Sequence, residues 1–252
     1  MKILQVNNIS DPRITEFINM KKVDEKHIVI SSKKALDKAL SNNIEIDKIL
    51  INKEFLAQYK DNKLDIKNIL TASKKILQEI VGYKLHQGIF ALATRPDYEK
   101  ISQLNEKIII FNGITSPENI GSLTRSASAF GFNSIIFDSK SCSPYMQRCI
   151  RVSMGNIFSV KVYKSESLIK DLEKLKDLNY KIISTANIEN SINIDSFNAP
   201  KKIALIIGSE GHGIDKEILE FSDETIKIPI DDQTLHLNAS IAGAISMYQL
   251  SK

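Results

Sequence analysis

Apolar residues fall into two patterns along this chain, and the change between them comes near residue 100. From about Asp24 to Thr94, helical and strand spacings alternate. Ala35, Leu36, Ala39 and Leu40 share one face of a 3.6-residue period, and Ile76, Leu77 and Ile80 share another, so both stretches predict amphipathic helices. Ile49-Leu50-Ile51, Ile69-Leu70 and Ile89-Phe90-Ala91-Leu92-Ala93 predict short strands. Together these describe a small α/β domain over residues 1–95. The polar stretch Arg95-Pro96-Asp97-Tyr98-Glu99-Lys100 has the Pro and the charge of a connector, and the linker is placed at 96–105.

From residue 107 the apolar runs become continuous. Ile108-Ile109-Ile110-Phe111, Ser134-Ile135-Ile136-Phe137, Lys181-Ile182-Ile183-Ser184 and Ile203-Ala204-Leu205-Ile206-Ile207 carry the signature of parallel strands covered on both faces. Ile120 to Phe130, Ser165 to Leu178 and Leu237 to Leu250 read as the intervening helices, with Gly131 as a left-handed helix stop. Residues 106–252 are therefore expected to form a second α/β domain around a mainly parallel sheet. At 252 residues and 42% hydrophobic, the chain can fill two cores, which excludes disordered and fibrous classes.

Charge adds a direction. Residues 1–100 hold 18 Lys and Arg against 13 Asp and Glu, a net of +5, and the remainder holds 16 against 17, a net of −1. A basic N-terminal part suits contact with polyanions, although a Lys-rich surface gives the same sum. Arginine is more selective: only Arg13, Arg95, Arg125, Arg148 and Arg151 occur, and the last three lie within 27 residues. In a chain that otherwise uses Lys, they are candidates for planar, bidentate contact with phosphate or carboxylate. Cys142 and Cys149 have no His or Cys partner at metal-ligand spacing, so no metal site is expected and both read as small packed residues in a reducing cytoplasm. The first ten residues lack a signal-peptide pattern, and no run approaches the roughly 18 apolar residues of a membrane span. A soluble, cytoplasmic protein is expected.

Three loop segments carry the candidate chemistry. Gly208-Ser209-Glu210-Gly211-His212-Gly213 follows a buried strand, where glycines permit close backbone approach and a carboxylate can orient a ligand; a tight strand-to-helix turn explains the same residues. Gln233-Thr234-Leu235-His236-Leu237-Asn238-Ala239-Ser240 opens a helix rich in small residues, with Asn238 as helix cap or site residue. The third segment is Asn119-Ile120-Gly121-Ser122-Leu123-Thr124-Arg125-Ser126-Ala127. No GxGxxG follows the first strand of the second domain and no GxxxxGK[ST] occurs, which disfavours the usual dinucleotide and P-loop readings.

In order and spacing these segments, from Ser116-Pro117-Glu118-Asn119 through Ile228-Pro229 to Ser240, resemble the motifs of the SpoU/TrmH-type 2′-O-ribose RNA methyltransferases of the SPOUT class. Arg151-Val152-Ser153-Met154-Gly155-Asn156 is similar to the short segment that family carries between its first two motifs, and the N-terminal part loosely resembles a ribosomal-protein-like RNA-binding domain. The resemblance implies a C-terminal trefoil knot, an obligate homodimer, and S-adenosylmethionine as cofactor. It implies that Gly208, Ser209, Ile228 and Leu237 hold the cofactor, with Thr185 and Ala186 on the other side. Asn119, Arg125, Glu210 and Asn238 would form the reaction centre, with Arg125 on the phosphate beside the target ribose and Glu210 orienting Asn119 or Arg125. Arg148, Arg151 and His236 would meet structured RNA, ribosomal rather than transfer. His236 stands where the family usually has Ser, which leaves open an RNA-binding protein that keeps the knot without turnover. His27, His86 and His212 carry no motif and read as structural or surface residues.

Overall fold

The structure is a computed structural model that describes residues 2–18, 20, 25–59, 68–82, 88–231, 233 and 236–252. Of the residues singled out in the sequence, Asp24, His86, Thr234 and Leu235 lie outside this set. The chain divides into two units, Met1–Pro96 with Tyr145–Phe158, and Asp97–Pro144 with Ser159–Lys252.

The first unit begins with β1 (Lys2–Gln5), α1 (Thr15–Ile18), β2 (His27–Ile30) and α2 (Lys33–Ser41). It continues through β3 (Ile46–Asn52), α3 (Lys53–Tyr59), β4 (Asn68–Ala72), α4 (Lys74–Val81) and β5 (Ile89–Thr94). Both predicted helices start at a serine cap: Ser32 Oγ accepts from Ala35 N and Ser73 Oγ from Ile76 N, satisfying amides that have no partner inside the helix. Among the described residues the strands form one sheet in the order β1-β4-β3-β5-β2, with β1, β4 and β3 parallel and β5 antiparallel to both β3 and β2. Alternate residues Val29, Leu50, Leu70, Phe90 and Leu92 turn to one face and bury Phe17 and Leu77 against it.

In the second unit β6 (Lys107–Asn112), α5 (Pro117–Ala129) and β7 (Ser134–Phe137) come first. Ser116 caps α5 through Asn119 N and Pro117 occupies its first turn; Gly131, just past its end, has φ 79°. The chain then enters α6 (Gln147–Val152), which the sequence assigned to the second domain but which packs on β2 within the first unit. Gln147 Nε2 donates to Ser31 Oγ at 2.5 Å, and Gly155, at φ 80°, lies so close that a Cβ there would stand 2.7 Å from Ala35 Cα. The second unit resumes with β8 (Lys161–Lys164), α7 (Leu168–Asp177), β9 (Lys181–Thr185), β10 (Ile192–Asn193), β11 (Ile203–Gly208), α8 (Lys216–Phe221), β12 (Glu224–Lys227) and α9 (Ala239–Gln249).

Its sheet, in the order β10-β12-β9-β11-β6-β7-β8, is parallel throughout. Ile108, Ile110, Ile136, Ile182, Ala204 and Ile206 bury one face beneath Leu172 and Leu175 of α7 and Ile218 of α8. On the opposite side α9 packs against α5 and β11. The expected linker is partly core: Leu104 is buried in that cluster and Ile101 packs on it. Because all strands run the same way, their C-terminal ends and following loops collect on one edge, where parallel sheets place ligands.

Candidate active site

At that edge, beyond β9, β11 and β12, lies a cavity of about 210 Å³. Thr185, Ala186, Gly208, Ser209, Ile228 and Leu237, the six residues expected to hold a cofactor, all line it, and so does His236. Ile207, Ile226, Ala239 and Ala242 supply apolar wall. The wall is tied between strands: Thr185 Oγ1 donates to Ile206 O at 2.9 Å, and Ala186 N donates to Ile226 O at 3.0 Å.

The glycine-rich loop follows the second of the two readings its sequence offers, the tight turn. Ser209 and Gly213 exchange backbone hydrogen bonds of 3.1 and 2.9 Å, so Glu210, Gly211 and His212 form the tip of a closed turn. A Cβ on Gly208 would stand 2.3 Å from the carbonyl carbon of Gly213, and Gly213 itself has φ 67°. Gly208 is thus required by the chain's approach to itself and Gly213 by its left-handed backbone, as the turn reading anticipated, while a Cβ on Gly211 would meet nothing. What the turn delivers is Glu210, exposed and held at the mouth of the cavity.

Glu210 Oε1 accepts from Asn119 Nδ2 at 2.9 Å and from Asn238 Nδ2, and Asn238 Nδ2 also reaches Asn119 Oδ1 at 3.1 Å. The two roles weighed for Asn238 coexist, because its two ends do different things. Oδ1 caps α9 by accepting from Ser240 N at 2.9 Å and Ile241 N at 3.4 Å, which leaves the amide nitrogen facing Glu210. Asn119 comes from the capped first turn of α5, so two helix N-termini and one strand-end turn converge on a single carboxylate. Glu210 bonds Asn119 and not Arg125. Arg125, nearly two turns further along α5, is exposed, is absent from the cavity lining, and has no hydrogen bond or ion pair among the described residues.

Comparison with known proteins decides the family, since the model described as "SpoU rRNA Methylase family" matches residues 106–248, more than half the chain. The chain belongs to the SpoU methylase family. A second model, "RNA 2'-O ribose methyltransferase substrate binding", matches residues 33–99 of this SpoU-family protein. A protein of Staphylococcus epidermidis assigned by name to the TrmH family of tRNA/rRNA methyltransferases is 29% identical over 88% of the chain and 94% of its own length. An AdoMet-bound rRNA methyltransferase from Sinorhizobium meliloti has the same fold, with a TM-score of 0.85, 18% identity, and coverage of 98% of this chain and 97% of that one. An RNA 2′-O ribose methyltransferase matches with a TM-score of 0.80 and 22% identity over 99% and 98% of the two chains.

The remaining expected RNA contacts of this SpoU-family chain, Arg148 and Arg151, are exposed on α6 and so belong to the first unit, whereas His236 sits in the cavity lining of the second. His27 lies in β2 with Nε2 3.8 Å from Asp47 Oδ2, and His212 is exposed at the turn tip. Among the described residues no helix is long and apolar enough to cross a membrane, and no group of His, Cys, Asp and Glu could hold a metal ion.

A second polar cluster was missed in the sequence. Buried Asn112, at the end of β6, donates through Nδ2 to Asp138 Oδ2 at 2.9 Å and to Asp215 Oδ2 at 3.0 Å, and its Oδ1 accepts from Asp215 N at 2.8 Å. Asp138 also accepts from Gly113 N at 3.0 Å and from the amide and hydroxyl of Ser141 at 2.8 and 2.6 Å. Lys140 Nζ lies 2.7 Å from Asp215 Oδ2, and this bond, followed by that from Asn112, holds the Asp215 carboxyl below its ordinary range. Polar residues at strand C-termini were the available signal. Their pairing was not.

Proposed function

We propose that this chain transfers a methyl group from S-adenosylmethionine to a ribose 2′-hydroxyl of structured RNA, ribosomal rather than transfer RNA, as a cytoplasmic homodimer with a trefoil-knotted second domain. The observation that carries the reading is the Glu210, Asn119 and Asn238 cluster at the mouth of a cavity lined by Thr185, Gly208, Ile228 and Leu237. The residues present fit the cofactor: apolar wall suits a purine, while backbone groups at three strand ends and the hydroxyl of Ser209 offer polar contacts. When bound, the cofactor supplies an electrophilic methyl on a sulfonium.

Given such a donor, this chain's task is to align an incoming hydroxyl and ease loss of its proton. Glu210 fixes Asn119 and Asn238, whose amides orient groups at the cavity mouth. Arg125 presents a permanent charge to the phosphate beside the target ribose; its high pKa makes it a poor general base, so phosphate or solvent takes the proton. The first unit, with Arg148 and Arg151, docks the RNA. On α9, Ile241, Ile245 and Tyr248 follow one helical face and are 52%, 39% and 51% exposed, an apolar stripe that a second copy would cover.

The test is calorimetry with S-adenosylmethionine followed by mapping of 2′-O-methyl sites in total RNA from a strain lacking the protein. Binding together with loss of one ribosomal site supports the reading, and an Arg125→Ala variant that keeps the cofactor affinity but not the methylation rate supports the role of Arg125. Binding without turnover on any RNA favours an RNA-binding protein diverged at His236. Absence of cofactor binding ends the reading.

A further inference from the structure

Ser246 lies on α9 at the wall of the cavity, and its side chain is fully buried. Among the described residues its hydroxyl has no hydrogen-bond partner. Serines on helices usually escape this by turning the hydroxyl back to a carbonyl of the preceding turn. At helix C-termini of this chain that is what they do: Ser41 Oγ donates to Asp37 O at 2.9 Å, Ser153 Oγ to Ile150 O at 3.1 Å and Ser222 Oγ to Ile218 O at 2.8 Å. Within helices, Ser240 Oγ bonds Asn238 Oδ1 and Ser122 and Ser126 are half-buried, so Ser246 differs from them in being fully enclosed. Ser246 forgoes that bond and stays in the lining, one turn beyond Ala242 on the same helix face.

An unpaired buried hydroxyl is costly unless something completes it. Ile207, Ile226 and Ala242 make an apolar part of the same lining, and the Thr185 hydroxyl is donated to Ile206 O. Of the methyl donor's parts, the amino-acid end is doubly charged and unsuited to such a wall, whereas a purine is flat, largely apolar and carries acceptors and a donor on its edge. A hydroxyl can serve as donor or acceptor to that edge. We infer that Ser246 is a cofactor-binding residue whose hydroxyl hydrogen-bonds the polar edge of the purine and so selects for it. The inference rests on the proposed reading of the cavity as the cofactor pocket.

The control is internal. Thr124 Oγ1 is equally buried and, among the described residues, equally without a partner, but Thr124 is not in the cavity lining.

Calorimetry of the full chain with S-adenosylhomocysteine reads binding without catalysis. Ser246→Ala should bind about 3- to 10-fold more weakly than the unaltered chain, corresponding to one neutral hydrogen bond. Its ligand-free melting temperature should be equal or higher, because an orphan hydroxyl has been removed. Thr124→Val should leave affinity unchanged. Purine analogues with one ring nitrogen replaced by CH should include one that weakens binding to the unaltered chain but not further to Ser246→Ala. Equal affinities for Ser246→Ala and the unaltered chain overturn the inference while leaving the pocket reading intact. So does a fall in ligand-free stability that accounts for the lost affinity. No binding by the unaltered chain overturns the pocket reading, and this inference with it.

Discussion

Two polar clusters tie the glycine-rich loop to the β6–α5 side of the sheet, one at the loop's tip and one at its base. At the base, Asn112 spends both ends of its amide on Asp138 and Asp215, and Asp138 is filled by Gly113 and Ser141. At the tip, Glu210 takes its bonds from the side chains of Asn119 and Asn238 and from Ala239 N on Oε1 alone, and the carboxylate is exposed. The base cluster is closed, with Asn112 and Asp138 buried at 2% and 6% exposed and Asp215 and Lys140 at the surface. A closed cluster can only hold the chain in place, while one with an unused oxygen at a cavity mouth can also meet a substrate. The clusters should therefore separate under mutation, one reading out in stability and the other in turnover.

The largest effect is expected at the tip. Glu210→Ala frees both asparagines from their common anchor, and misplacement of this kind costs a reaction about 100-fold in rate, or about 2.7 kcal/mol of transition-state stabilisation. Water can replace the carboxylate at an exposed mouth, so melting should move little. Single-turnover methylation and thermal melting on the same preparation check both halves. A variant that unfolds as readily as it loses activity would merge the two clusters into one. Next comes the base: Asn112→Ala removes the amide that ties Asp138 to Asp215 and leaves a gap in a buried polar cluster, and should cost about 2 kcal/mol of unfolding free energy by urea titration. At a temperature where the variant is folded, its turnover should stay within a few-fold of the unaltered chain.

Asn238 sharpens the comparison because it belongs to both kinds of interaction. Asn238→Ser keeps an oxygen to cap α9 but removes the amide donated to Glu210 and Asn119. Turnover should fall about 10-fold, equivalent to about 1.4 kcal/mol, with stability nearly unchanged. An equal loss of stability would show that capping is its whole contribution.

What the sequence made legible follows from the range of the interactions involved. β6, β9 and β11 are continuous apolar runs and announce themselves, but Glu224-Thr225-Ile226-Lys227 of β12 has one apolar side chain and is a strand only because β9 and β10 pair with it. The six-residue α6 and α8 are too short to show a period. In the site, the turn at Gly208 to Gly213 and the cap at Asn238 are local and were readable. The bonds from Asn112 cross 26 and 103 residues, and that from Gln147 to Ser31 crosses 116, so no window of sequence contains them. Asp215 shows the limit well: it precedes α8 as a cap should, but its side chain bonds Lys140 and Asn112 and makes no capping bond to the helix.

That same residue gives the smallest effect and the finest test of the base cluster. The Asp215 carboxyl titrates below its ordinary range when folded, first because of Lys140 and then because of Asn112. A depressed folded value means that the ionised form favours the native state. This contribution is complete above the unfolded value of about 3.9 and drains away as pH falls through the lower folded one. Lys140→Met removes the first cause, so its melting temperature should lie slightly below that of the unaltered chain at neutral pH, and the two should converge in acid. Both partners are well exposed, at 64% and 44%, so solvent screens the pair and added salt should shrink the gap. The contribution of Asn112 is not reached by salt in this way. A gap that persists at high salt would place Lys140 inside the buried cluster, and one absent at every pH would leave Asn112 as the whole of the tie at the base.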